Sequence, residues 1–151
     1  MEKTEIAIFT NMCMIYDDKG NVLVQDRVDP NWSGITFPGG HVEKGESFTD
    51  STIREVFEET GLTISQLEMC GIKDWITADG VRYIVCLYKT NCFEGTVTSS
   101  PEGEVRWVTL QELPDMKLAS SMDSMLKVFL NNRITEQFFY QENGQWVETL
   151  K

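Results

Sequence analysis

Eight residues, "IREVFEET" at 53–60, leave the chain little choice of local structure. Read at about 3.6 residues per turn, Ile53, Val56, Phe57 and Thr60 fall at i, i+3, i+4 and i+7 and make one apolar face. Glu55, Glu58 and Glu59 fall at i, i+3 and i+4 and converge on the opposite side. The spacing predicts a helix over 48–60. Ser47 is its N-cap, with Asp50 three residues on, and Gly61 is its C′ stop. Ile53, Val56 and Phe57 are expected to hold the helix to the core while the acids point away together.

Like charges within a turn cost roughly a few tenths of a kcal/mol per pair. A solvated acidic face is the plain explanation, yet such faces usually intersperse lysine, and here only Arg54 stands close, four residues before Glu58. The alternative is a hard divalent cation, which takes carboxylate oxygens together with waters and substrate phosphates. The helix alone leaves both open. A formal net charge of −11 argues against a nucleic-acid partner, since nothing would neutralise a row of phosphates. A polyanionic small substrate would need a metal to hold it.

The 151 residues are read as one domain, long enough to bury about two thirds of the unfolded surface. Apolar runs such as "IVCLY" are too short for a membrane span, and "MEKTEIAIFT" lacks a signal-peptide pattern, so a cytoplasmic address is the default. Cys13, Cys70, Cys86 and Cys92 show no CxxC spacing, and His41 is the sole histidine, so reduced and mostly buried thiols are expected rather than a thiolate metal site.

Along the chain, "EIAIFTNMCMIY" and "VLVQDR" read as strands joined by the turn "DDKGN". A long loop follows, with a short strand at "ITF", and long loops in small domains are usually functional. Strands are expected at about 67–76 and 81–89 around "ADG", and again at "EVRWVTL". Leu118, Met122, Met125, Leu126, Phe129 and Leu130 have helical spacing and predict a second helix at about 118–132. "EQFFYQENGQWVETL" carries Asn-Gly between two β-prone runs, a hairpin signal over about 134–150. Interleaved strands and helices imply an α/β (α+β) fold: one mixed sheet packed by helices on its faces.

The wider spacing narrows the choice. From Gly40 the chain runs "GHVEKGESFTDSTIREVFEETGL": Gly, five residues, Glu46, seven residues, then Arg-Glu-apolar-x-Glu-Glu-x-Gly-apolar, ending at Leu62. This resembles the signature of the Nudix hydrolase family at every fixed position, a coincidence expected by chance in about one chain in a million or fewer. "FPGG" ahead of the box and "EGEVRWV" after it are similar to bacterial MutT-type members, extending the likeness through about residue 113.

The resemblance implies an α/β/α sandwich and metal-dependent hydrolysis of a nucleoside diphosphate linked to another group, with Mg²⁺ or Mn²⁺ as cofactor. By the same match, Glu55, Glu58, Glu59 and the Gly40 carbonyl are metal ligands, and Glu55 is the residue often assigned as general base. Arg54 and Glu46 match a structural ion pair. A glutamate from a later loop often completes the site; "SSPEGEVRWV" offers Glu102 and Glu104, and Glu102, on the loop itself, is preferred.

Arg27, at the end of the second strand, is a candidate phosphate contact, its plain alternative being a pair with Asp26 or Asp29. Trp32, Tyr83 and Phe93 are candidates for stacking on a base, although aromatics near strands are more often core. The window beyond the box, "ITADG", carries neither the proline of ADP-ribose hydrolases nor the tyrosine of dinucleoside-polyphosphate hydrolases. That elimination favours a nucleoside triphosphate, 8-oxo-dGTP among the candidates, over a nucleotide sugar or ADP-ribose. A non-catalytic nucleotide- or RNA-binding domain is the third reading. Family members are often homodimers, and the C-terminal hairpin would be an interface or a lid.

Overall fold

The computed structural model describes residues 2–151. In chain order the elements are β1 (Ala7–Ile15), β2 (Asn21–Arg27), β3 (Gly34–Thr36), α1 (Phe48–Thr60), β4 (Leu62–Ser65), β5 (Glu68–Ile76), β6 (Arg82–Thr90), β7 (Cys92–Gly95), β8 (Gly103–Thr109), α2 (Met122–Leu130), β9 (Glu136–Glu142) and β10 (Gln145–Leu150). The α/β (α+β) class and the mixed sheet are as the pattern implied. The strands divide, however, among three sheets rather than one: β1-β6-β5-β9-β10, β3-β2-β8 and the small pair β4-β7. The main sheet is mixed, with β1 parallel to β6 and β5 parallel to β9.

Strand β1 shows why helices lie on both faces. Met12 and Met14 join one core cluster with Phe37, Leu87 and the α2 residues Met125 and Phe129. Cys13 and Ile15 join another with Val56 of α1, Leu62 and Cys86. Period-two alternation thus feeds two cores from one strand. All four cysteines are free, Cys13 and Cys86 buried.

Several expectations change. Phe57 is 56% exposed, whereas Glu59 is only 5% exposed and Ser51, Thr52, Val56 and Thr60 are buried. Small Ser and Thr side chains let α1 approach the core closely, which rotates its buried face towards Glu59 and leaves Phe57 outside. The second helix is shorter than 118–132: it begins at Met122, after Ser121 at φ 66°, and Leu118 instead bridges to Ile35. Phe93 packs against Trp107 at the edge of the core cluster that holds Val56 of α1, as its plainer reading had it. The hairpin turns at Asn143 and Gly144, both left-handed, and its strand β9 adds to β5, so it is part of the main sheet. Strands β4 and β7 went unforeseen; at four residues each they carry too little alternation to read.

Candidate active site

The helix that presents the glutamates is fixed at both ends. Ser47 Oγ accepts the Asp50 N–H at 3.0 Å, and Gly61 at φ 79° donates its N–H to the Phe57 carbonyl. The loop before it runs along β1: Cys13 N donates to Pro38 O, Asn11 N to Gly40 O and Val42 N to Phe9 O, each at 2.9 Å. Buried Asn11 then ties loop to helix, accepting from Gly40 N at 3.1 Å and donating from Nδ2 to Ser51 Oγ at 3.0 Å. Sequence reading missed Asn11, whose signal was a polar residue inside an apolar strand.

Arg54 is the other tie. Its Nε and Nη2 donate to the two Glu46 oxygens at 2.8 and 3.0 Å, a bidentate pair, and Nη2 also reaches the His41 carbonyl at 3.1 Å. The guanidinium and the Glu43 N–H hold the Glu46 carboxyl down to about 2. Nη1 extends to Glu55 Oε1 at 3.0 Å and Glu58 Oε2 at 3.3 Å.

The three helix glutamates occupy different environments. Glu58 is exposed. Glu55 lies against Gly40, where a side chain would overlap its carboxylate, and burial raises its pKa, with the Arg54 charge opposing and the Glu58 charge adding. Glu59 is the deepest. Its pKa is pushed up to about 7, chiefly by burial and further by the charges of Glu55 and Glu102, while the Gly39 N–H at 3.2 Å and the Arg27 charge oppose the rise. Glu102 sits in the loop before β8 and acts on Glu59, whereas Glu104 pairs with Arg106 at 3.1 Å.

Among the described residues no three such groups stand in metal-ligand geometry as they are, Glu58 being drawn to Arg54. The donors nonetheless suit a hard divalent cation. They are oxygens on one helix and two loops, Glu55 and Glu59 among them desolvated, and the Gly40 carbonyl keeps a second lone pair beside Glu55.

A cluster of cationic and aromatic side chains lies beside these acids. Arg27 pairs with Asp29 at 3.6 Å, as its plain alternative held, and donates to Trp32 O at 3.2 Å. Its charge still reaches Glu59 and Tyr83, and its guanidinium lies 5.3 Å over the Trp32 ring. Tyr83 shares a 2.9 Å hydrogen bond with His41 Nε2 and stacks on Trp75, ring centres 4.6 Å apart. Arg27, Trp32 and Tyr83 therefore converge. Lys73, Trp75 and Phe139 join them, with Lys73 Nζ 5.1, 5.5 and 5.4 Å from the Trp32, Trp75 and Phe139 ring centres. Those three went unnoticed because the strand register that puts them on the Tyr83 face is not written in any one segment.

A capped glutamate helix clamped to a glycine loop, on a mixed sheet between two helices, defines a hydrolase of phosphoanhydride bonds. The NUDIX domain profile matches residues 10–129, and the chain belongs to the Nudix family. It is 31% identical over 133 residues to an uncharacterized Nudix hydrolase, YvcI, of Bacillus subtilis, covering 82% of each chain. The solved Mutator MutT protein of Bacillus halodurans superposes with TM-score 0.78 at 26% identity, covering 95% of this chain and 97% of that one. The NUDIX domain of Shewanella oneidensis NrtR, solved with ADP ribose, shares the fold at TM-score 0.67 and 18% identity, covering 87% and 90%. Nudix hydrolases act on nucleoside diphosphate derivatives and generally use divalent metal ions. Among the described residues, no helix is long and apolar enough to cross a membrane.

Proposed function

We propose that this chain hydrolyses a nucleoside triphosphate to the monophosphate and pyrophosphate with Mg²⁺ or Mn²⁺, 8-oxo-dGTP being one candidate substrate. The observation that carries the reading is Glu59: a desolvated carboxylate within reach of the charges of Glu55, Glu102 and Arg27, with Trp32 and Tyr83 grouped around Arg27. Glu55, Glu58, Glu59, Glu102 and the Gly40 carbonyl would hold the metal, which when bound neutralises phosphate oxygens and lowers the pKa of water. Glu55 takes a proton from the attacking water as general base. Its raised pKa brings it nearer to the neutral range in which a base is most effective. Arg54 and Glu46 keep helix and loop in register. Arg27 contacts the phosphates, and Trp32 and Tyr83 border the base.

Another nucleoside diphosphate derivative is the second reading, supported by the ADP ribose complex of the Shewanella domain. A non-catalytic binder has no need of the whole acidic set.

The deciding experiment is a nucleotide panel with Mg²⁺ or Mn²⁺ and identified products. Pyrophosphate plus a nucleoside monophosphate from a triphosphate is the expected result, lost by orders of magnitude in Glu58→Gln with the fold retained. Faster cleavage of ADP-ribose or a nucleotide sugar replaces the first reading by the second. Turnover of none of the panel rejects both.

A further inference from the structure

The aromatic cluster around Lys73 borders polar groups that the glutamate site does not use. Lys73 on β5 stands across from Gln137 on β9, and Glu148 on β10 stands across from Phe139, two residues further along β9. All four share one face of the sheet. Gln137 is fully buried; its Nε2 donates to the Ser121 carbonyl at 3.1 Å and to Glu148 Oε1 at 3.4 Å, and its Oε1 has no partner among the described residues. Such an amide holds the Glu148 carboxylate in place. Lys73 Nζ donates one of its three hydrogens to Ser121 Oγ at 3.1 Å. Burial lowers its pKa to about 8, with the Glu148 charge opposing the fall. A cation and an anion thus stand on one face of the sheet next to the aromatic cluster, close enough for the Glu148 charge to act on Lys73. The Trp32 ring spans the distance from Arg27 to Lys73, lying 5.3 Å from one charge and 5.1 Å from the other.

We propose that Lys73 and Glu148 read the hydrogen-bonding edge of a guanine-type base, the ammonium donating to the 6-oxo group and the carboxylate accepting from N1–H and the 2-amino group. The inference rests on the nucleotide-hydrolase reading and names its substrate class. Adenine presents the reverse pattern: its 6-amino group meets the ammonium and its N1 lone pair meets the carboxylate. Both contacts repel, and the groups left unpaired add to the discrimination. Uracil and thymine satisfy the ammonium and offer N3–H to the carboxylate, but turn a carbonyl on it where guanine has the 2-amino group. Guanine and its 8-oxo form share this edge, so these two residues do not distinguish them. Gln137 and Ser121 are positioning residues, and the hairpin is a wall of this base site.

The test is tryptophan fluorescence, since the Trp32 and Trp75 rings both lie beside Lys73. The full chain is titrated with GMP and AMP in EDTA, alongside Lys73→Met and Glu148→Gln. Wild type should bind GMP about tenfold or more tighter than AMP. Each variant should lose most of that preference, GMP binding weakening and AMP binding holding or tightening as its repulsion is removed. Equal affinity for the two nucleotides, binding of neither, or an equal loss for both in each variant overturns the proposal. Should Lys73→Met fail to fold, Glu148→Gln, at an exposed side chain, decides alone. Triphosphate hydrolysis is read separately. Turnover without guanine preference removes this inference and leaves the function standing; guanine preference without turnover does the opposite.

Discussion

The Cα of Gly40 lies so close to the carboxylate of Glu55 that a Cβ there would overlap it. The obstructing atoms are the far end of a flexible side chain, whereas at Gly39 the obstruction is the backbone carbonyl of Asn11. Neighbouring alanine substitutions therefore separate site from scaffold. Gly40→Ala should displace Glu55 and lower kcat/KM about 100-fold with Tm nearly unchanged. Gly39→Ala should push the loop off β1 and lower Tm by about 5 °C or more. Kinetics and melting curves on the pair check this; similar Tm losses in both would refute it.

Glu59 titrates at about 7 against an ordinary 4.5. Between those values the folded chain binds more protons there than the unfolded chain, so its contribution to stability is present at low pH and lost as pH rises to about 7. Glu59→Gln removes the titration. In EDTA the variant should melt above wild type at about pH 8, and the gap should close towards pH 4. A gap that does not vary with pH counts against the assignment. Added Mg²⁺ at the higher pH should raise the wild-type Tm more than that of the variant.

Arg54→Lys keeps the charge and loses the planar fork that meets both Glu46 oxygens and the His41 carbonyl. Stability should fall by about 1–2 kcal/mol in urea unfolding. Activity should fall further than stability explains, because Glu55 and Glu58 lose the same anchor. Wild-type behaviour on both counts would make the ion pair dispensable.

Val56→Ala and Phe57→Ala report the rotation of the helix. Val56 is fully buried and its truncation should cost about 2 kcal/mol, while at the exposed Phe57 the cost should stay within about 0.5 kcal/mol. Denaturant midpoints measure both, and the opposite order would restore Phe57 to the core.

The glutamate helix was legible to the residue because caps and 3.6-residue spacing are local. Its rotation was not: burial of Glu59 instead of Phe57 depends on how closely Ser51, Thr52 and Thr60 let the backbone approach the sheets. Three of the aromatic and basic candidates, Arg27, Trp32 and Tyr83, were found singly by residue type. That they meet, and that Lys73, Trp75, Phe139 and Gln137 stand with them, follows from long-range register across β5, β6 and β9. Division of the strands among three sheets is equally non-local. Asn11 could be suspected from its polarity but not assigned, since its partners lie 29 and 40 residues away.

Four residue pairs, Ile72–Trp75 against Glu136–Phe139, join β9 to β5, whereas nine pairs join β1 to β6. The hairpin is closed locally by Asn143 and Gly144, so it can detach as a unit at a free energy below that of global unfolding. The sheet that supports the glutamate helix need not open with it. On the proposed base site, ligand affinity and attachment of the hairpin form a single equilibrium: a base held against Glu148 should slow amide exchange along residues 136–150, and loosening that seam should weaken the ligand's hold by the same free energy.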